Sequence, residues 1–454
     1  MKILFITRDF IIEPLGIMYI AGALKKAGHK TDIVKAGVEN IEEKVKNFAP
    51  DIVAYSLTTG QHGYFLDLNK KLKSQFKFLA VFGGSHPTFF TEIIKNEGVD
   101  IICIGEGEEA FAELADKLAK GEDFSTIPNL WVKKNGAIIK NDVRPLNDID
   151  SLAFPDRELI YRKYPKSRDN PIKNFLGGRG CPFNCPYCFN HSLKTIYQGK
   201  GQYVRFRSVD NLLQEMLEVK NHYPMAMAYF QDDTFGTEDE WLGEFSEQYP
   251  KVIGLPFHCH ARINLINERL VGFLKKAECS GVTFAIETAD DRLRNQILER
   301  NMTKDQIIRA SGLVKKAGLK LRIFNMLGLP EGSLKDDLET LKLNILCKPD
   351  LGWASIYQPY PRTKLGDLCV QKGIYDGDID KISETFFEDS VLDIKDKAKI
   401  NNLQKLFCLT VSFPILFPLV KVLINLPPNG LFKKTYAYWK EKLNRKIYHI
   451  QKTI

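Results

Sequence analysis

The stretch Asn174–Cys188, NFLGGRGCPFNCPYC, decides how this chain is read: a short apolar strand, two glycines, then three cysteines within eight residues. Three thiols are one too many for a disulfide and one too few for a closed zinc site, which takes four ligands. The Gly, Pro and Asn content of the loop argues against thiols buried as small hydrophobes. Two readings remain. In the first, His191 completes Cys181, Cys185 and Cys188 as a zinc knuckle, C-x3-C-x2-C-x2-H. In the second, the three thiolates hold an iron–sulphur cluster whose fourth iron stays open to a small molecule carrying an amine and a carboxylate. An open coordination position is what a catalytic metal centre has and a structural one lacks. Position, count and spacing favour the open cluster.

Downstream of this loop, apolar runs alternate with helical patterns. Strands are expected at Asn174–Gly178, Ala226–Gln231, Phe257–Ala261, Val282–Ile286, Leu321–Met326 and Trp353–Gln358. Thr237–Glu240 and Thr303–Gln306 read as capping boxes, and Ser333 as a further N-cap. Six such units without a Gly-rich fingerprint predict a barrel-like, mostly parallel sheet with its chemistry on the loops after the strands. The cysteine loop follows the first strand, on that face.

Upstream, Lys2–Thr7, Thr31–Val34, Asp51–Ser56, Phe78–Phe82 and Ile101–Ile104 read as buried parallel strands. In PLGIMYIAGALKKAGH, Ile17, Ile20, Ala21 and Leu24 repeat at helical spacing, with Pro14 at the first turn and Gly28 at the stop. This alternation predicts a doubly wound sheet, whose ligands sit beyond the carboxyl ends of the strands. SLTTG (56–60), GGSHPTF (83–89) and GEGEEAF (105–111) stand at such ends, although tight turns alone also explain them. The lack of G-x-G-x-x-G after the first strand disfavours a dinucleotide. A hairpin is expected at Asn135-Gly136 and an irregular connector after it. The expected divisions are 1–145, a 146–172 connector, 173–370 and 371–454.

Composition bounds the function. The 454 residues are 44% hydrophobic and 26% charged, with a net charge of +8 spread over most of the chain, so no nucleic-acid partner is expected. Nine cysteines, six of them scattered singly, do not form a secreted disulfide framework. MKILFITRDF reads as a strand rather than a signal peptide, and a cytoplasmic location is expected.

C-x3-C-x-aromatic-C after the first strand of a six-unit barrel resembles the signature of radical S-adenosylmethionine (SAM) enzymes. The resemblance implies a 4Fe-4S cluster on Cys181, Cys185 and Cys188, SAM on the open iron, and reductive cleavage of SAM to a hydrogen-abstracting 5′-deoxyadenosyl radical. It extends to FQDDTF (230–235), HARIN, FAIETADDRL, ILERNMT and MLGLPEGS (326–333). These imply SAM contacts at Tyr187, Asp232, Asp233, Arg262, Glu287 and Arg300. The sequence departs from the family pattern at Ala285, Thr288-Ala289, Gly332 and Arg362.

EPLGIMYIAGALKKAGH, DIVAYSLTT, VFGGSHPTFF and GEGEEAF resemble the cobalamin-binding domain that precedes many of these barrels. The whole is similar to the class B radical SAM methyltransferases, over roughly residues 1–370. Cobalamin contacts are implied at Leu15, Gly16, Ser56, Thr58, Thr59, Gly83, Gly84, His86, Glu106 and Gly107. Nothing like D-x-H-x-x-G follows the first strand, so the resemblance implies base-off cobalamin with no His ligand to cobalt. The implied fold is α/β: a Rossmann-like doubly wound domain, a partial (β/α)6 barrel and a helical carboxyl-terminal region. The implied activity is methylation of an unactivated carbon of a small or lipid-like substrate, with a flavodoxin- or ferredoxin-type reductant. A radical SAM cyclase or rearrangement enzyme, and a non-catalytic cobalamin or metal-binding protein, are the alternatives.

After Asp367 the resemblance fades. KISETFFEDSVLDIKDKAKINNLQKL reads as helical, and Leu406–Val420 is largely apolar but broken by Pro414 and Pro418, too short to span a bilayer. LFKKTYAYWKEKLNRKIYHIQK interleaves cations with aromatics. A helical cap on the barrel is expected there, with a peripheral contact at the inner membrane face as the functional alternative.

Overall fold

The computed structural model describes residues 1–447 except 11, 386 and 388; the end of the basic aromatic stretch, 448–454, lies outside the described residues. Two compact units result. The first comprises Met1–Asn170 with Leu193–Arg207 and His222–Pro224, and the second Pro171–Ser192, Ser208–Asn221 and Met225–Ile454.

In the first unit, β1 (Lys2–Thr7), β2 (Lys30–Lys35), β3 (Ile52–Ser56), β4 (Leu79–Gly83) and β5 (Ile101–Cys103) run parallel in the order 2-1-3-4-5. Antiparallel β6 (Leu130–Lys134) and β7 (Ala137–Lys140) extend the far edge. Asn135 (φ 51°) and Gly136 (φ 79°) make the hairpin turn between them, as Asn-Gly demands. The fully buried Leu4, Ile6, Val53 and Phe82 form the centre of this sheet's core. Order 2-1-3-4-5 reverses direction between β1 and β3, and that switch point is where a doubly wound sheet opens a crevice for ligand.

The second unit is built on six parallel strands in sequential order: β8 (Ile172–Phe175), β9 (Met227–Phe230), β10 (Phe257–His260), β11 (Cys279–Glu287), β12 (Lys320–Leu327) and β13 (Leu351–Ile356). β8 and β13 remain the two edges, so the barrel is partial. Side chains alternate across each strand. Phe230 and Phe257 point outward against Phe245 of the helix Asp239–Val252, with ring centroids 5.7 and 5.6 Å away. His258 and His260 therefore share the opposite, inward face.

Thr303 with Gln306 and Ser333 with Asp336 form full capping boxes. The box expected at Thr237–Glu240 does not form: the helix starts at Asp239 behind Glu238, which makes no side-chain cap bond. The helix expected through 381–396 is a second correction. Thr385 N, Phe387 N, Ser390 N and Leu392 N donate to the side chains of Ser383, Thr385, Asp389 and Ser390 at 3.3, 3.2, 2.8 and 3.2 Å. Such local bonds compete with helical ones, and the helix begins only at Lys397.

That helix, Lys397–Ser412, and the helix Gly430–Ile447 cover β13, the edge a parallel sheet must protect. Gln404 Nε2 donates to Ala354 O (2.9 Å), and Trp353 Nε1 to Tyr436 Oη (2.7 Å). Leu403, Leu406 and Phe407 pack with Ala354 and Ile356 in one buried cluster. Among the described residues, no helix is long and apolar enough to cross a membrane.

Candidate functional site

In the second unit the cysteine loop leaves β8 through Gly177 and Gly178. Their backbone N–H groups donate to Asp232 Oδ2 and Oδ1 at 3.0 and 2.7 Å. Burial pushes the Asp232 carboxyl up to about 7, against the pull of those two donors. A Cβ at Gly177 would lie 3.2 Å from Asp232 Oδ1 and 3.4 Å from Trp241, so the strand end is clamped onto the loop after β9.

Cys181, Cys185 and Cys188 are free thiols, with Cys185 buried. Cys188 N donates to Cys185 O (3.0 Å), closing the last turn. Each sulphur has a polar neighbour, two of them from distant segments. Thr234 Oγ1 is 3.4 Å from Cys181 Sγ, Arg262 Nη1 donates to Cys185 Sγ (3.0 Å), and Asn190 Nδ2 donates to Cys188 Sγ (3.7 Å). N–H donors such as those of Arg262 and Asn190 tune thiolate ligands of a cluster, and the three thiols fit an iron–sulphur centre with three protein ligands. Among the described residues no three His, Cys, Asp or Glu side chains converge on one metal ion. Such convergence is what a single zinc needs, whereas a four-iron cluster takes each thiolate on a different iron. His191 Nε2 lies 3.2 Å from Ser192 Oγ.

Arg262 joins this loop to the strand ends. Its guanidinium stacks 3.9 Å from the Phe183 ring, and Nη2 donates to Arg300 O (3.0 Å). Next to it, Tyr187 Oη donates to Glu287 Oε1 (3.0 Å) and accepts from Arg300 Nη1 (2.8 Å), with Arg300 and Glu287 3.7 Å apart. Glu287 is held at φ 70°, where the register of β11 slips against β12. A non-glycine residue in this region stores about 1–3 kcal/mol and marks an over-determined site. Burial raises the Glu287 carboxyl, while Arg300 and Tyr187 oppose that shift.

All six residues singled out as SAM contacts (Tyr187, Asp232, Asp233, Arg262, Glu287 and Arg300) are thus tied to the loop or the strand ends around it. Asp232 is spent on backbone, whereas the carboxyl of its neighbour Asp233 stands beside Cys188 and takes a hydrogen bond from Asn190, with desolvation raising it above the usual carboxylate range. Sequence reading did not single out Phe183, Thr234 and Asn190, although the first two lie within the quoted stretches NFLGGRGCPFNCPYC and FQDDTF. It also missed the inward stripe of the barrel. Tyr229 Oη is 2.8 Å from His260 Nε2, and His258 Nε2 is 2.7 Å from Thr283 Oγ1. Burial, helped by Arg322, holds His260 down at about 4, a neutral imidazole in the lumen. The period-two spacing of His258 and His260 was the available signal.

In the first unit the candidates fall beyond the carboxyl ends of β1, β3, β4 and β5. Gly16 and Thr58 are exposed, and Leu15 is buried at the start of the helix Leu15–Lys26. Thr59 and His86 are buried against each other, Oγ1 to Nδ1 3.1 Å, with His86 stacked 4.1 Å from His62. Glu106 pairs with Arg205 and its N–H donates to Tyr197 Oη (2.8 Å). Gly107 packs where a Cβ would meet Cys103 Sγ at 3.2 Å. Gly84, at φ 97° and ψ −168°, occupies a region only glycine enters freely. A Cβ there would lie 2.7 Å from Leu57 O and 2.9 Å from Leu57 N, a turn joining the ends of β3 and β4. Gly84→Ala is expected to destabilise the chain by more than about 1 kcal/mol. Denaturant melts of the two chains check this.

Comparison with known proteins matches part of each unit. Residues 1–115 match the B12 binding domain family, and residues 176–343 match the radical SAM superfamily. The chain therefore belongs to the cobalamin-binding-domain-containing radical SAM proteins and is a radical SAM enzyme. Its cofactors are cobalamin, SAM and a 4Fe-4S cluster. A Pyrococcus horikoshii protein named an uncharacterized methyltransferase is 28% identical over 371 residues, covering 80% of this chain and 79% of that one. The anaerobic magnesium-protoporphyrin IX monomethyl ester cyclase of Rubrivivax gelatinosus is 24% identical over 376 residues, 78% of this chain and 65% of that one. The solved structure of the cobalamin-dependent radical SAM enzyme OxsB with aqua-cobalamin bound shares the fold, with TM-score 0.70 at 16% identity over 98% of this chain and 72% of that one.

Proposed function

We propose that this enzyme methylates an unactivated carbon of a small or lipid-like substrate, with electrons from a flavodoxin- or ferredoxin-type protein. The observation that carries the reading is the presence in one chain of a B12 binding domain and a three-thiol loop at the first strand end of a partial barrel. When bound, the cofactors supply a hydrogen-abstracting radical from one SAM and, through cobalamin, a methyl group from another.

The residues divide the work. Cys181, Cys185 and Cys188 hold the cluster, and Arg262 offsets thiolate charge at Cys185. Tyr187, Glu287 and Arg300 form a buried polar wall for SAM. Asp233 faces its amino group, and Asp232 fixes the loop from behind. Ser56, Thr58, Gly83 and Gly84 line the crevice for the cobalamin tail. Leu15, Gly16 and Gly107 give close approach to it, and Thr59, His86 and Glu106 stiffen its walls. The working divisions are 1–145 for cobalamin, a 146–172 connector, 173–370 for the radical centre and 371–454 for the cover. The second reading, a cyclase that transfers no methyl group, is favoured by the similarity to the Rubrivivax cyclase.

Methyl-labelled SAM separates the two without a known substrate. Incubated anaerobically with the reconstituted enzyme, cobalamin and a low-potential reductant, it is expected to leave label on the corrinoid and an equal amount of S-adenosylhomocysteine. Formation of 5′-deoxyadenosine with no label on the corrinoid would contradict methyl transfer and leave the cyclase reading.

A further inference from the structure

The cover over β13 carries a surface that this chemistry does not use. Residues 397–440 contain seven lysines and not one Asp or Glu. Their buried side contributes Leu403, Phe407, Val420, Ile424 and Phe432 to the core. Their outer side does not turn polar. Phe413, Ile415, Leu419, Val422, Leu431 and Tyr438 are exposed, Ile415 by 87%, Leu431 by 70% and Val422 by 67%. The surface runs on from one segment to the next: the Phe413 ring meets Trp439 at 5.1 Å, and Trp439 meets Tyr438 at 5.5 Å. Exposed cations border it at Lys421, Lys433, Lys434 and Lys442, the last with Nζ 4.6 Å from the Trp439 ring.

We propose that this face docks the enzyme on an anionic phospholipid bilayer, lying in the interface and not crossing it. An exposed apolar patch of this kind marks a protein or membrane contact, and the charge pattern decides between them. Protein interfaces are depleted in Lys, whereas interfacial elements combine an apolar face with Lys at headgroup level and Trp or Tyr at the boundary. Lysine stems can lie along the apolar surface while their ammonium groups reach lipid phosphates. No carboxylate occurs from 397 to 440, and the cations outnumber the exposed Glu441 at its border, so an anionic surface meets a net attraction. Pro414 and Pro418 break the segment, and no described helix is long and apolar enough to span, so the contact is peripheral.

Flotation of the reconstituted full chain with phosphatidylcholine vesicles, with and without phosphatidylglycerol, tests this. The protein is expected to float with the anionic vesicles and to be released by salt, and to float poorly with phosphatidylcholine alone. I415E/L419E/V422E changes only side chains already in water and should leave the melting curve intact. K421Q/K433Q/K434Q removes charge alone. Each triple variant is expected to lower vesicle binding by about tenfold or more. Two results overturn the proposal: wild-type protein that stays off anionic vesicles at low salt, which would leave a protein as the occupant, or a glutamate triple variant that binds as well as wild type. Flotation reads binding and not turnover, so either outcome is independent of the methyl-transfer reading.

Discussion

Alanine in place of Cys181, Cys185 or Cys188, one at a time, is expected to leave a folded chain that binds less than about one iron in place of about four. Reductive SAM cleavage should then fall below detection. The argument rests on where the thiols stand. All three lie on one loop, Cys185 and Cys188 on a turn closed by the Cys188 N to Cys185 O bond, with Cys181 beside Thr234, Cys185 beside Arg262 and Cys188 beside the nearby Asn190. Cys181 and Cys188 are half-buried on the loop, and Cys185, though buried, is small, so their loss costs ligation more than folding. Cys279 and Cys408 serve as controls, being buried within the packed elements of the second unit. Alanine there should leave the iron content unchanged. Iron analysis with a 5′-deoxyadenosine assay reads both sets. A cysteine-loop variant that keeps its full iron would contradict the ligand assignment.

Arg300→Met is expected to be the most destabilising single change in the second unit's polar wall, by about 3–5 kcal/mol, because it strands a buried carboxylate. Arg300 donates to Tyr187 Oη and Ala285 O and stands 3.7 Å from Glu287. Glu287 is only 7% exposed and held at positive φ, so it cannot swing to water without breaking the end of β11. The pH dependence has a definite sign. Burial already raises the Glu287 carboxyl, so the fold binds that proton more tightly than the unfolded chain does. That contribution is full below the unfolded value and is lost as pH rises through the folded one. Removing Arg300 deletes the group that opposes the shift, so the deficit of the variant should be larger at pH 8 than at pH 5. Adding Glu287→Gln should restore part of the loss. Denaturant melts at the two pH values decide this; a deficit unchanged by pH and by the second substitution would show that Glu287 is not the group stranded.

Much of this was legible in the sequence because it is local. Short apolar runs bounded by Gly, Asp and Pro foretold the strands of both sheets, Asn135-Gly136 the hairpin, and the cysteine spacing the radical SAM loop. What sequence reading missed depends on tertiary contacts. Nothing in Asp232-Asp233 says which carboxylate turns inward to hold Gly177 and Gly178. Nothing near Glu106 announces that Arg205 and Tyr197, about a hundred residues on, would fix it. The stretch 381–396 misled because its charges suit a helix while its Ser, Thr and Asp side chains prefer their own backbone. The inward histidines of β10 were hidden for the converse reason: a strand shows which residues alternate, but only the assembled barrel shows which face is the lumen.

The most direct measurement is anaerobic reconstitution with iron, sulphide and hydroxocobalamin, followed by desalting, metal analysis and the visible spectrum. About four irons and one cobalt per chain, with the cobalamin in its base-off form, is the predicted result. A chain that takes up iron but retains no cobalt would contradict the account at its centre, because the crevice at the switch point of the first sheet would then hold something other than cobalamin.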